Sequence, residues 1–229
     1  GSYAEYAVAN VDRVARIPDT LSFKQAAALP VAALTAWQAL FVRGDIQPGQ
    51  KVMIHGGSGG LGGFAVQFAR LKGAQVAASC STANVDYLQT LGVERVIDYR
   101  REDIPQALRE WAPDGVDYLM DAVGASSLPE ALMLVRPGGS FVSIPTLVDD
   151  GDIPASMAAA AERGVNRVFS TMDDVDSGAM LTEIVSLVAR GEVQLPPISE
   201  FPLTEAAQAH RLLEEGGHRG KIVLRVADL

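Results

Sequence analysis

Little in these 229 residues suits thiol or metal chemistry. The single cysteine, Cys80, excludes an intrachain disulfide and a multi-thiolate zinc site. Three histidines, His55, His210 and His218, are too few and too widely spaced for a histidine-rich metal centre. No Lys/Arg tract is present and the formal net charge is −9, which argues against a nucleic-acid partner or an anionic membrane surface. No apolar run is long enough to span a bilayer and no secretory signal pattern opens the sequence, so a cytoplasmic setting is expected. With 48% hydrophobic and 21% charged residues, the composition is that of a globular chain able to bury a core.

Glycine, by contrast, is concentrated. "IHGGSGGLGGFAVQFAR" (54–70) holds six glycines in eight positions before turning into an apolar helical pattern. Glycine inside a regular element costs about 0.5–1 kcal/mol relative to alanine, so such a cluster marks a place where backbone or ligand must come close.

From Lys51 onward, short apolar runs alternate with amphipathic segments. "KVMIH", "QVAAS", "RVIDY", "VDYLMDAV", "SFVSIP" and "NRVFST" read as six buried strands. Helices are predicted between them over 61–71, 85–91, 104–111, 128–134 and 155–162, with "RPGG" as a turn before the fifth strand. This pattern predicts an α/β fold, a doubly wound parallel six-stranded sheet covered on both faces. The ends differ. Residues 3–9 and 13–18 alternate like antiparallel strands, and "LSFKQAAALPVAALTAWQALF" reads as two helices broken near Pro30. The tail carries helices over 180–190 and 205–215, the Pro-rich "QLPPISEFPL" and the strand "KIVLRV".

Gly57-Ser58-Gly59-Gly60-Leu61-Gly62 is a G-x-G-x-x-G spacing directly after a predicted strand and at the start of a predicted helix. In that setting Gly57 allows the tight turn, Gly59 lets backbone approach a pyrophosphate, and Gly62 lets the helix pack on the sheet. The phosphates would meet N–H groups at a helix N-terminus. The second strand ends in "SCSTAN", Ser79 to Asn84, without the acid that binds the ribose hydroxyls of NAD. Ser79, Ser81 and Asn84 leave room for a 2′-phosphate, so NADP(H) is the expected cofactor. Tyr99, Arg100 and Arg101 follow the third strand. The two arginines read equally as phosphate ligands or as a solvated turn.

Six stretches, "YAEYAV", "LSFKQAAALPVAALTAWQAL", "QPGQKVMIHGGSGGLGGFAVQFAR", "LGVERVIDYR", "RPGGSFVSI" and "AHRLLEEGGHRGKIVLRV", together resemble the medium-chain dehydrogenase/reductase superfamily. Within it they are similar to the zinc-independent quinone oxidoreductase branch related to zeta-crystallin. The resemblance implies a GroES-like catalytic β domain beside a Rossmann domain, with NADPH in the cleft between them. It implies that most of the GroES-like domain precedes "YAEY". Residues 1–33 would then be a remnant of that domain, 34–190 the NADP-binding domain, and 191–229 a return to the remnant.

Residue by residue, Thr35 in "LTAW" resembles a threonine close to the nicotinamide, with capping inside a buried helix as the other reading. Ser58, Gly59, Gly60 and Leu61 match the loop that meets the pyrophosphate. Ser81 and Asn84 match the 2′-phosphate region, where relatives often carry a lysine in place of Asn84. Tyr99 matches a tyrosine near the adenosine phosphate. Ala122, Val123 and Gly124 in "DAVG", and Ser143 and Ile144 in "VSIP", would border the nicotinamide. Zinc-dependent relatives place a cysteine near the position of Val31, so no metal ligand is expected there. Family dimers join their sixth strands, which makes 167–171 the expected homodimer edge.

Other candidates read as structural. His55 is expected to fix the glycine-rich turn, and His210 and His218 fit no zinc spacing. Nothing near Cys80 in sequence lowers its pKa. Ser58 lacks the G-x-S-x-G context of a nucleophile elbow, and Asp149, Asp150 and Asp152 read as solvated surface. The expected activity is NADPH-dependent hydride transfer to a small quinone or α,β-unsaturated carbonyl, weak or absent in this stretch alone. Alternatives are an enoyl reductase domain of a larger biosynthetic enzyme, or a non-catalytic NADP-binding module.

Overall fold

A computed structural model describes residues 3–144, 152–171 and 176–227. Its centre is a six-stranded, wholly parallel sheet of β1 (Lys51–His55), β2 (Gln75–Cys80), β3 (Arg95–Asp98), β4 (Val116–Asp121), β5 (Val135–Ser143) and β6 (Asn166–Phe169). The spatial order is β3-β2-β1-β4-β5-β6. Before the sheet come α1 (Phe23–Ala27) and α2 (Pro30–Trp37). Interleaved with the strands lie α3 (Gly62–Leu71), α4 (Val85–Thr90), α5 (Ile104–Trp111) and α6 (Ile153–Arg163), and α7 (Ser177–Ala189) follows β6. The doubly wound α/β architecture expected from the alternation is the one observed.

Side-chain alternation builds a core on each face of the sheet. Val52 and Ile54 of β1 pack with Leu34 of α2, Phe64 and Phe68 of α3 and Ile184 of α7. Met53, between them in sequence, packs with Ala107 and Leu108 of α5 and with Leu119 and Phe141 on the other face. The break at Pro30 is observed. Ser22 and Gln25 close a reciprocal capping box on α1, and Pro30 opens α2, where a missing N–H costs nothing. The fully buried Tyr118 keeps its hydroxyl satisfied by donating to Ala39 O at 2.9 Å.

Three expectations fail. Residues 128–134 form no α-helix; short 3₁₀ turns cover Ala125–Ser127 and Ala131–Leu134. Leu128, Ala131 and Leu134, all buried, recur every three residues, which is the 3₁₀ period. The "RPGG" turn lies inside β5, where the register with β4 shifts between Val116 and Tyr118 and Gly138 takes φ +80°. Residues 3–9 and 13–18 are not strands. A single 3₁₀ turn, Val11–Arg13, is seated on the start of α7, where a Cβ at Gly178 would strike Asp12 O. Alternation makes a strand only where a neighbouring strand accepts its hydrogen bonds, and the tail strand has another partner. β8 (Lys221–Arg225) pairs in parallel with β7 (Ile198–Pro202), which lies inside the Pro-rich tail, and α8 (Ala206–Glu214) connects them.

Candidate functional site

The sheet order reverses between β1 and β4, and open α/β sheets bind ligands beyond the carboxyl ends of the strands at such a point. A crevice of about 970 Å³ opens there, bounded by the β1–α3 turn, the ends of β2 and β4, the β3–α5 loop and the segment before β8. Ser58, Gly59, Ser79, Ser81, Asn84, Tyr99, Ala122 and Val123, all assigned to cofactor binding from the sequence, are brought together along it.

The glycines divide their work differently from the expectation. The positive φ of the turn (+86°) belongs to Gly56, where a Cβ would lie 2.7 Å from Val123 Cγ2. Gly57 lies in the same turn without a positive φ; a Cβ there would lie 2.7 Å from Ala78 Cβ, so close packing on β2 is what requires a glycine. Gly62 packs the start of α3 on the turn rather than on a strand, since a Cβ would collide with Gly56 O. Gly59 stands apart: its nearest obstacle is Gly56 O at 3.4 Å. The amides of Ser58, Leu61 and Gly62 donate to no acceptor among the described residues, and α3 begins without a capping side chain. Free N–H groups at an uncapped helix start beside an open glycine fit a diphosphate, and the crevice is large enough for a dinucleotide.

His55 joins three chain segments at the floor of the crevice. Its Nδ1 lies 2.7 Å from Ser79 Oγ and its Nε2 2.9 Å from Ser127 Oγ. Ser127 donates its own proton to Gly124 O, so it accepts from Nε2–H. Nδ1 is then the acceptor for Ser79 O–H, while Ser79 Oγ accepts the Gly56 N–H. The network therefore assigns a neutral ring protonated on Nε2. Burial lowers the His55 pKa, opposed by the charge of Asp121, which favours that neutral form. The carboxylate of Asp121 accepts the amides of Val123 and Gly124, shaping the β4 exit. The turn-fixing role expected of His55 thus reaches across to β4.

Other expected residues lie outside the lining. Thr35 donates to Val31 O at 2.7 Å within α2, a bond back along the helix rather than a cap. Gly60 is covered by Lys221 and Gly220, and Leu61 packs against the core. Gly124 belongs to the β4 exit, Ser143 accepts from Arg167 Nη2 at 2.7 Å, and Ile144 N donates to Asp121 O. Pro145, Asp149 and Asp150 fall outside the described residues, and Asp152 caps α6. Arg100 lies over the Tyr99 ring, and Arg101 turns toward Asp98 at 3.5 Å. Burial pushes the Cys80 thiol up to about 11, assisted by Asp98, so it is a protonated buried group rather than a nucleophile. Val31 is exposed, and among the described residues no group of three His, Cys, Asp or Glu side chains is placed to hold a metal ion.

Sequence reasoning missed Arg219 and the acidic wall. Glu102 lines the crevice while pairing with Arg95 at 2.6 Å, and Asp103 lines it while capping α5. Arg219 donates to Asn84 Oδ1 at 2.6 Å and to Ala83 O, and lies against the Tyr87 ring. It stands 135 residues from Asn84, so no local spacing signals the pairing.

Residues 91–224 match the family model described as zinc-binding dehydrogenase. The chain is 36% identical over 228 residues to the polyketide synthase GfsB of Streptomyces halstedii, covering 99% of this chain and 4% of that protein. It is 30% identical over 247 residues to the mitochondrial NAD(P)H oxidoreductase RTN4IP1 of Bos taurus, covering 99% of this chain and 61% of the relative. Among solved structures, the quinone oxidoreductase from Coxiella burnetii superposes with a TM-score of 0.82 at 33% identity, over 93% of this chain and 63% of that one. The chain thus spans less than two thirds of the length of these relatives. With a six-stranded parallel sheet and a glycine-rich crevice at its switch point, the chain belongs to the zinc-binding dehydrogenase family of medium-chain dehydrogenase/reductase oxidoreductases, of which it carries the Rossmann portion.

Proposed function

We propose that this chain is the cofactor-binding portion of an NADPH-dependent reductase acting on quinones or α,β-unsaturated carbonyl compounds. The observation that carries the reading is the end of β2. Ser79, Ser81 and Asn84 face the crevice where an NAD site would present a carboxylate, and the carboxylates of Glu102 and Asp103 are already engaged. When bound, the nicotinamide supplies the hydride chemistry. The chain's residues bind and orient: the free loop amides take the diphosphate, and the β2 end takes the ribose. The Asp121-shaped turn at Ala122 and Val123 forms one wall.

Expected from this reading is tighter binding of NADPH than of NADH, measured by fluorescence titration of both; equal affinities would sink it. Ser81→Asp should weaken NADPH through like-charge repulsion and spare NADH. Residues 1–33 and 191–229 are read as parts of a second, β-rich domain that flanks the NADP-binding domain of residues 34–190. On that reading the chain alone turns over poorly, because a nicotinamide without its opposite wall is open to water and poorly oriented. NADPH oxidation with a simple quinone, compared between this chain and one extended upstream, tests this; matching rates would refute it. The wall that selects the acceptor is placed in that second domain.

A second reading is favoured by the polyketide synthase match, where the aligned stretch is 4% of the relative and so a small part of a much longer protein. There the acceptor would be a thioester-bound enoyl chain. Turnover of an enoyl thioester but not of a free quinone would select this reading. A homodimer through the exposed edge of β6 is proposed in either case, since a twofold pairing covers an unpaired edge symmetrically.

A further inference from the structure

The end of β2 brings no cation of its own. Ser79, Ser81 and Asn84 are neutral, Arg100 lies on the Tyr99 ring, and Arg101 is turned to Asp98. A phosphate on the ribose 2′-oxygen would therefore lack a counter-charge if the β2 end worked alone. Charge arrives instead from the segment between α8 and β8. Gly216, Gly217 and Gly220 take positive φ (+72°, +67° and +81°), which turns the chain sharply back across the phosphate loop. Gly220 N meets Ser58 O at 3.4 Å, and a Cβ at Gly220 would overlap Pro197 O, so the segment is pinned on both sides.

This pinned segment presents Arg219 to the β2 end. Its Nε and Nη2 are held by Asn84 Oδ1 and Ala83 O, and its plane is backed by Tyr87. Asn84 in turn donates to Ser81 Oγ at 3.1 Å. Among the described residues these partners are all neutral, and Nη1 has none. A guanidinium fixed by neutral acceptors keeps its full charge for an incoming anion, and its fork suits phosphate oxygens. Next to it, His218 lines the same crevice, and its Nε2 is buried without a hydrogen-bond partner among the described residues. An orphaned nitrogen on the crevice wall, next in sequence to a guanidinium held on Asn84 of the same wall, calls for an anionic ligand there.

On the dinucleotide reading above, we propose that Arg219, assisted by His218, reads the 2′-phosphate of NADP(H), making the segment before β8 the element that separates NADP from NAD. The position of Asn84 needs no lysine because the charge comes from the other end of the chain.

Calorimetric titration of the chain with 2′,5′-ADP and with 5′-ADP tests this without any turnover. The chain should prefer 2′,5′-ADP. Arg219→Ala should lose about tenfold or more in affinity for 2′,5′-ADP, the scale of a charge-assisted hydrogen bond, while its affinity for 5′-ADP changes less than about twofold. Raising salt should shrink the preference of the parent chain more than that of the variant. Arg219→Gln keeps the stem and a donor for Ala83 without the charge, and it decides the matter if the alanine variant fails to fold by circular dichroism. A folded neutral variant that retains the full preference would overturn the role of Arg219 while leaving the dinucleotide reading intact. Equal binding of both ligands by the parent chain would overturn the role of Arg219 together with the NADP preference. Binding of neither would overturn the dinucleotide reading as well.

Discussion

The crevice at the switch point and the chain ends make opposite use of similar side chains. Around the crevice, apolar residues are consumed by two cores and polar ones by hydrogen bonds, as in the His55–Ser79–Ser127 network. At the ends, Tyr6 is 90% exposed, Val8 fully so, and an apolar groove of about 1080 Å³ runs between Val14, Ile17, Phe23 and Leu224. The βα alternation carries its own partners, since its six strands pair side by side and its helices cover both faces of the sheet. Among the described residues the ends have a two-stranded parallel sheet, β7–β8, and two strands are marginal without further cover. A stretch can therefore have strand-like alternation and still form no strand.

Substitutions can test that contrast, and the largest effect is expected in the core. Leu119→Ala, at a fully buried position of β4, should cost about 2–5 kcal/mol by urea denaturation. Tyr6→Ser should stay within about 0.5 kcal/mol. A comparable loss at both sites would show that the end segments are packed in solution.

Next comes the phosphate loop. Gly62→Ala forces a methyl group onto Gly56 O and should cost about 1–3 kcal/mol of stability. Gly59→Ala, with only ordinary contact to Gly56 O, should leave stability nearly unchanged and weaken NADPH binding. A fluorescence titration beside a denaturation curve separates the two; loss of stability at Gly59 would contradict the open geometry.

A smaller effect is expected from pH. The His55 pKa is lowered from 6.5 by burial, so the folded state takes up a proton less readily than the unfolded one. The stability this represents is fully present above the unfolded pKa and is lost as pH falls through the folded one. The thermal midpoint should therefore drop between about pH 7 and about pH 5, and the drop should be shallower in His55→Gln. Matching slopes in both proteins would place the titrating group elsewhere.

The smallest change in fold stability, though not in assembly, is expected at the sheet edge. Phe169→Pro removes an amide from β6 and should convert the proposed dimer to monomer in light scattering while the sheet persists. A parent chain that is monomeric at micromolar concentration would remove the dimer altogether.

How much was legible follows from the range of the forces involved. The six strands, α3 to α7 and the place of the phosphate loop were readable because period-2 and period-3.6 patterns, and a glycine hexad between strand and helix, are local signals. The 3₁₀ turns at 125–134 were not, because Leu128, Ala131 and Leu134 are too few to separate a period of 3.0 from 3.6 before their packing is known. Gly57 and Gly56 could not be told apart either, since only the approach of Val123 and Ala78 shows which glycine bends and which one merely fits. The sequence by itself determined an α/β sheet with a dinucleotide-type turn at its centre and a β2 end without an acid. The tertiary structure alone decided that β8 pairs with β7 and that Arg219 reaches Asn84 across 135 residues. The Arg219 contact depends on where the whole chain returns in space, and β7 pairs with a strand only 23 residues on (Ile198 with Lys221) although its proline-rich sequence carries no strand period.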